Sequence, residues 1–164
     1  MPNLEVDEPF ALPMTGAVEY WRDKVAVEPG VYKAMSDVSK VQAFAVAGIA
    51  KGEELYTVQK AIDRAIAQGS TLKQFKEDAA EVFARRGWDP EKPHRIDLIF
   101  RNNVQTSYAA GQWQEINNGN LFPYVEYSSI NDSRRTPLCK RLDRMLWERG
   151  DPALDTVAPL NHHA

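Results

Sequence analysis

The stretch Gly52–Gly87, GEELYTVQKAIDRAIAQGSTLKQFKEDAAEVFARRG, decides the fold class. Leu55, Val58, Ile62 and Ile66 recur at helical spacing, which puts them on one stripe of a helix over Glu53–Gln68. Gly69 follows, where a C-terminal residue must turn left-handed without a Cβ penalty. Thr71 and Gln74 then have the spacing of a capping box at the head of a fourth helix. Its buried face is Phe75, Ala79, Val82 and Phe83, and Arg85 and Arg86 close it before Gly87, cations favouring the negative end of the helix dipole. Two capped amphipathic helices in succession predict a mainly α chain.

Working outward, Gly52 separates this pair from a longer helix expected over Val31–Ala50, where Met35, Val38, Val41, Ala45 and Ile49 recur at helical spacing. Before it, the Pro29-Gly30 turn breaks a short amphipathic segment over Gly16–Val25, with Val18, Trp21 and Val25 on one face. Residues 1–15 hold three prolines and the acidic cluster Glu5, Asp7 and Glu8 without periodicity, as an extended arm that docks on neighbours would. Downstream, a loop spans Trp88–Lys92, and Pro93 suits the first turn of a fifth helix. That helix carries Tyr108-Ala109-Ala110-Gly111, whose small side chains let another backbone come close. Glycine inside a helix costs roughly 0.5–1 kcal/mol relative to alanine, so tight packing is the expected reason for Gly111.

Asn118-Gly119 signals a turn, and Tyr124–Ile130 then alternates as a strand does. Ser128–Arg135 has loop chemistry. Within it Asp132 and Arg134 are spaced for an ion pair or Asx-type hydrogen bonds, read as a structural clamp. Met145-Leu146-Trp147 reads as a short strand or turn. The organisation expected is an arm over 1–15, a helical body over 16–119, and a small C-terminal α+β subdomain over 120–164.

Composition narrows the function. The formal net charge of −3 over 164 residues argues against a surface that wraps nucleic acid, because such binding rests on Lys and Arg neutralising phosphates. Arg95, Arg101, Asn102, Asn103, Gln105, Gln112 and Gln114 on the fifth helix suit phosphates or base edges, and equally suit loop capping and protein contacts. Without a denser basic stripe the second reading is favoured. One cysteine forms no internal disulfide, and no stretch approaches the roughly 18 apolar residues of a membrane span. There is no P-loop, G-x-G-x-x-G, G-x-S-x-G or H-E-x-x-H, and Glu53-Glu54 and Glu77-Asp78 read as solvated helix faces. No residue is assigned a catalytic role.

The chemically suggestive set is Cys139 with His162 and His163, since thiolate and imidazole suit tetrahedral zinc. Three ligands leave a closed structural site one short. A thiol nucleophile with a histidine base is the competing chemistry, and a packed, unliganded cysteine is the ordinary one.

Several words of the sequence resemble the phage Mu protein F-like, or phage head morphogenesis, minor head proteins. In that family the fifth helix reads like N-x-x-T-A-Y-A-A-G-R-W, matched here by Asn103, Thr106, Tyr108, Ala109, Ala110, Gly111 and Trp113. Pro123, Tyr124, Val125 and Tyr127 match its P-Y-L-x-Y strand. Asp132, Arg134, Pro137 and Cys139 match D-x-R-T-x-P-x-(H or C), with Arg135 in place of the Thr. Gly150-Asp151-Pro152, Pro159 and His162 resemble the approach to a closing His/Cys cluster whose cysteines have no counterpart through Ala164, as in a shortened member or a chain cut just before them. Upstream, Tyr20–Lys24 and Ala43–Ala47 look like the family's Y-F-R-x-K and A-F-T-V-A words.

The resemblance implies a minor head protein made in the host cytoplasm and built into the virion head. It implies contacts with portal, major capsid or scaffold proteins, assistance to DNA packaging or ejection, and a zinc site completed by further cysteines in a longer chain, with no cofactor assigned to this one. Two other classes stand beside it. One is a metal- or thiol-dependent nuclease or hydrolase using the Cys/His cluster, and the other is a DNA-binding module, which would bind with steep salt dependence.

Overall fold

The computed structural model describes residues 14–89, 94–119, 123–133 and 135–157, with side chains up to residue 154. Most of the expected arm, Pro93, Arg134, His162 and His163 lie outside the described residues. Along the chain run α1 (Thr15–Arg22), β1 (Val25–Ala26), α2 (Pro29–Ala34), α3 (Asp37–Val41), β2 (Ala43–Phe44), α4 (Gly52–Gln68), α5 (Leu72–Asp78) and α6 (Ala80–Arg85). They are followed by α7 (His94–Asn118), β3 (Tyr124–Glu126), α8 (Pro137–Leu142), β4 (Leu146–Glu148) and α9 (Pro152–Val157). The fold is mainly α with a small C-terminal strand region. Contacts divide the chain into two units, Met1–Gly111 and Gln112–Ala164, and the division falls within α7.

In the first unit α4 supplies the central stripe. Leu55, Val58, Ala61, Ile62, Ala65 and Ile66 are all buried, and Gly69 ends the helix at φ +71°, the left-handed conformation glycine tolerates best. The Thr71 hydroxyl accepts from the Gln74 amide while the Gln74 side chain accepts from the Thr71 amide, so the capping box is complete. The fourth helix nevertheless bends at Ala79 (φ −110°, ψ 13°) into α5 and α6. The bend brings Phe75 and Phe83, both fully buried, to 5.7 Å between ring centroids in one core.

The helix expected over Val31–Ala50 does not form. Its span becomes α2, α3 and β2, and β2 pairs in parallel with β1 in the register Val25↔Ala43, Ala26↔Phe44. Ser36 restarts the chain as N-cap of α3 by accepting from the Ser39 amide. Pairing with β1 also seats Phe44 edge-on against Trp21 at 5.2 Å, a contact between two buried rings. Val38 and Val41, assigned to a buried face, are instead 83% and 56% exposed. Pro29 opens α2 instead of only turning the chain, and α1 stops at Arg22 because Val25 joins the strand.

The reading of Glu53-Glu54 as a solvated pair is also half corrected. Glu54 is 3% exposed and its carboxylate takes hydrogen bonds from the Arg86 guanidinium, joining the first turn of α4 to the end of α6.

The second unit has a smaller core, in which Leu142, Trp147 and Leu154 are buried with Trp113, Val125 and Tyr127 packed against them. β3 and β4 are antiparallel with Val125 opposite Trp147. The strand expected over Tyr124–Ile130 is cut to three residues, because the Ser129 amide turns to the Asp143 carboxylate at 2.9 Å instead of continuing a ladder. Met145 stays outside β4, after Arg144 at φ +66°.

Candidate functional site

Two places hold most of the motif residues, one in each unit. In the first unit, Ser107, Ala110 and Gly111 are buried on α7. A Cβ on Gly111 would lie 2.6 Å from the Ala17 backbone nitrogen and 2.8 Å from Met14 Sδ, so the small residues admit the start of α1 against α7. The close approach expected at this step is what the structure shows. The amides and hydroxyls around it bond largely within the helix. Asn103 Nδ2 donates to Ile99 O at 2.7 Å, and Ser107 Oγ donates to Asn103 O at 2.9 Å. Thr106 Oγ1 donates to Asn102 O at 2.6 Å. Tyr108 packs against the core and its hydroxyl reaches Ile66 O at 3.5 Å.

In the second unit the sequence builds a polar cluster around the only cysteine. Thr136 is the N-cap of α8 and accepts from the Cys139 amide at 3.2 Å, and Pro137 takes the first helical position. That cap places the Thr136 hydroxyl 3.1 Å from Cys139 Sγ, while the Tyr127 hydroxyl, just after β3, comes within 3.5 Å of the same sulfur. Beside them Asp143 accepts from the Ser129 amide and hydroxyl, each at 2.9 Å, and pairs with Arg135 at 2.6 Å. Tyr124, by contrast, is half-exposed.

The electrostatics follow from these donors. Hydrogen bonds from Thr136 and then Tyr127 hold the Cys139 thiol below its ordinary value, since both favour the thiolate, and burial opposes them. Burial, reinforced by the bond to Cys139, pushes the Tyr127 phenol up to about 12. The Ser129 amide, its hydroxyl and the Arg135 guanidinium bring Asp143 down to about 2.

The structure thus brings Tyr127 and Cys139 together, and Asp132 lies in the loop between them, with Arg134 outside the described residues. Among the described residues Arg135 pairs with Asp143 here. Asp143 had no motif to mark it. Thr136 could have been found, because T-P-x-C has N-cap spacing. Cys139 is the member of the suggested zinc set that is described, and among the described residues no three His, Cys, Asp or Glu side chains converge as a metal ion requires. Among the described residues the neighbours of Cys139 are two hydroxyls and an arginine, none of them a second zinc ligand.

A family model described as "Phage Mu protein F like protein" matches residues 56–164, which include α7 and the Cys139 cluster. The chain belongs to this family. It is similar to a protein F of Escherichia phage Mu that is named for capsid assembly, at 29% identity over 181 aligned positions covering 98% of this chain and 41% of that relative. It is also similar to the Mu-like prophage FluMu F protein of Haemophilus influenzae, at 29% identity over 133 positions covering 73% of this chain and 32% of that protein. The chain therefore spans about two fifths and about a third of the two F proteins it matches. No solved structure matches it. Among the described residues no helix is long and apolar enough to cross a membrane.

Proposed function

We propose that this chain serves phage head assembly as a protein-binding element, joining a portal, major capsid or scaffold protein to the growing head, and that it works without catalysis. The observation that carries this reading is the similarity along 98% of the chain to an F protein named for capsid assembly. The site chemistry supports it. The Cys139 thiol is surrounded by hydroxyls that serve local structure, and on α7 the Asn103 amide and the Thr106 hydroxyl bond to the helix's own backbone. Virion residence in the head, and help with packaging or ejection of DNA, belong to the same proposal.

The test is quantitative mass spectrometry of purified procapsids and filled heads, paired with a nonsense mutant in the gene. The protein is expected in heads at low copy, and the mutant is expected to yield few DNA-filled heads. Absence from heads at every stage, with normal particle yield from the mutant, would sink the assignment.

A further inference from the structure

On the first unit, a hollow of about 400 Å³ opens beside β2 and runs into a second of about 310 Å³, the two sharing Ala45 and Asn103. Its first half is lined by Tyr20, Lys24, Tyr32 and the Lys40–Asp37 ion pair, and its second half by Leu98, which is 41% exposed, with Ile99, His94, Arg95 and Asn102 beside it. The Lys24 ammonium is half-buried in the wall. It donates to Val41 O at 2.7 Å and to the Tyr20 hydroxyl at 3.2 Å and lies 4.4 Å from the centre of the Tyr20 ring, but among the described residues no carboxylate pairs with it. An ammonium has three donors, so one remains for a ligand. The Tyr20 hydroxyl, having accepted from Lys24, keeps its own proton to donate. Burial lowers the Lys24 pKa, which is the signature of a desolvated cation that an anion would stabilise.

We propose that this groove docks an extended acidic segment of a partner protein, with one carboxylate seated at Lys24 and the Tyr20 hydroxyl and the apolar residues after it laid along Ala45 and Leu98. Charge complementarity selects the acidic end, because an uncompensated, partly buried ammonium gains most from a carboxylate that brings hydrogen bonds with its charge. The apolar side chains of Leu98 and Ile99 in the second half select a peptide over a small anion. Nucleic acid fits less well, since Lys40 is already paired with Asp37, Arg95 lies over the Trp88 ring and the chain carries a net charge of −3, whereas a phosphate backbone needs a cationic stripe. The inference goes beyond the assembly reading and stands independently of it.

The experiment is a heteronuclear NMR titration of the labelled 164-residue chain with the synthetic peptide acetyl-Glu-Ala-Leu-Ala-Leu-amide. Controls are the same peptide with Gln for Glu, inorganic phosphate, and a short DNA duplex. The acidic peptide is expected to shift the resonances of Lys24, Ala45 and Asn103, and Lys24→Gln to weaken binding about tenfold, the loss of one charge-assisted hydrogen bond. The Gln peptide should bind correspondingly less well. If Lys24→Gln loosens the fold by circular dichroism, Tyr20→Phe, which keeps the ring and removes the second donor, carries the same test. The proposal is overturned if these resonances do not move, if phosphate or duplex binds at least as tightly as the peptide, or if the folded variants bind unchanged. Sedimentation showing self-association that Lys24→Gln abolishes would make a second copy the occupant and overturn the partner assignment. Failure of peptide binding leaves the head composition measured above unaffected, so the two proposals fail separately.

Discussion

At Gly111 the nearest obstacles to a side chain are the backbone nitrogen and Cα of Ala17, at 2.6 and 3.1 Å from a built Cβ, and backbone moves less readily than a side chain. Gly111→Ala gains about 1 kcal/mol of helix propensity, yet overpacking costs about 1–3 kcal/mol, so the clash is expected to win. Gly111→Leu should be worse than Ala. Thermal melts read the order directly, and a raised midpoint for Gly111→Ala would remove the close-packing account. The same scale carries a pH dependence. Asp143 titrates near 2 in the fold, below the ordinary carboxylate range, because Ser129 and Arg135 bind its charged form. A depressed folded pKa stabilises above the unfolded value and is lost as pH falls through the folded one, so the contribution should be full above about pH 4 and fade toward pH 2. Asp143→Asn should flatten that part of the stability curve, measured by Trp fluorescence in urea from pH 5 downward. Gly111 was legible in the sequence because a glycine within a helix needs a reason. Asp143 was not, since its partners, Ser129 and Arg135, are contributed by a loop whose path no local pattern fixes.

The elements divide in the same way. Where a helix is closed by its own neighbours, as α4 is by Gly69 and α5 by Thr71 and Gln74, periodicity and caps agreed and the structure follows them. Thr71→Ala removes the acceptor of the Gln74 amide and should cost about 1 kcal/mol. Denaturant titration checks this, and Thr71→Ser, which keeps the oxygen, should recover most of the loss. Between residues 31 and 50 the periodicity misled. Val38 and Val41 sit at helical spacing without a core to meet, while Ala43 and Phe44 are drawn into a strand by β1, some twenty residues earlier in the chain, and by the Trp21 ring. A tertiary pairing overrode a local pattern there. The bend at Ala79 has the same origin, since a core that takes both Phe75 and Phe83 is a property of the packed unit.

For the molecule as a whole, the two units differ most in how much apolar surface they bury. The first has a continuous core running from Trp21 and Phe44 through the α4 stripe to Phe75, Phe83 and Ile96, whereas the second relies on Leu142, Trp147 and Leu154. Burying one large apolar side chain contributes roughly 1.5–3 kcal/mol, so a core this small leaves little margin over chain entropy. The second unit should therefore open at lower free energy than the first. Native-state hydrogen exchange is expected to show the amides of β3 and β4 exchanging well before those of α4. Trp147→Ala should sharpen the contrast. Truncating a buried tryptophan costs about 3–5 kcal/mol, comparable to what the small core supplies, so β3 and β4 should lose protection while Val58 and Ile62 keep theirs. Equal slowing at all these sites in the native chain, or loss of protection in α4 together with β4 in the variant, would mean that the chain opens as one cooperative block and that the division at Gly111 has no energetic counterpart. The assembly proposal gives the measurement its functional point, because a marginal second unit would be ordered chiefly by what it binds, and protection of β3 and β4 should then rise in assembled heads.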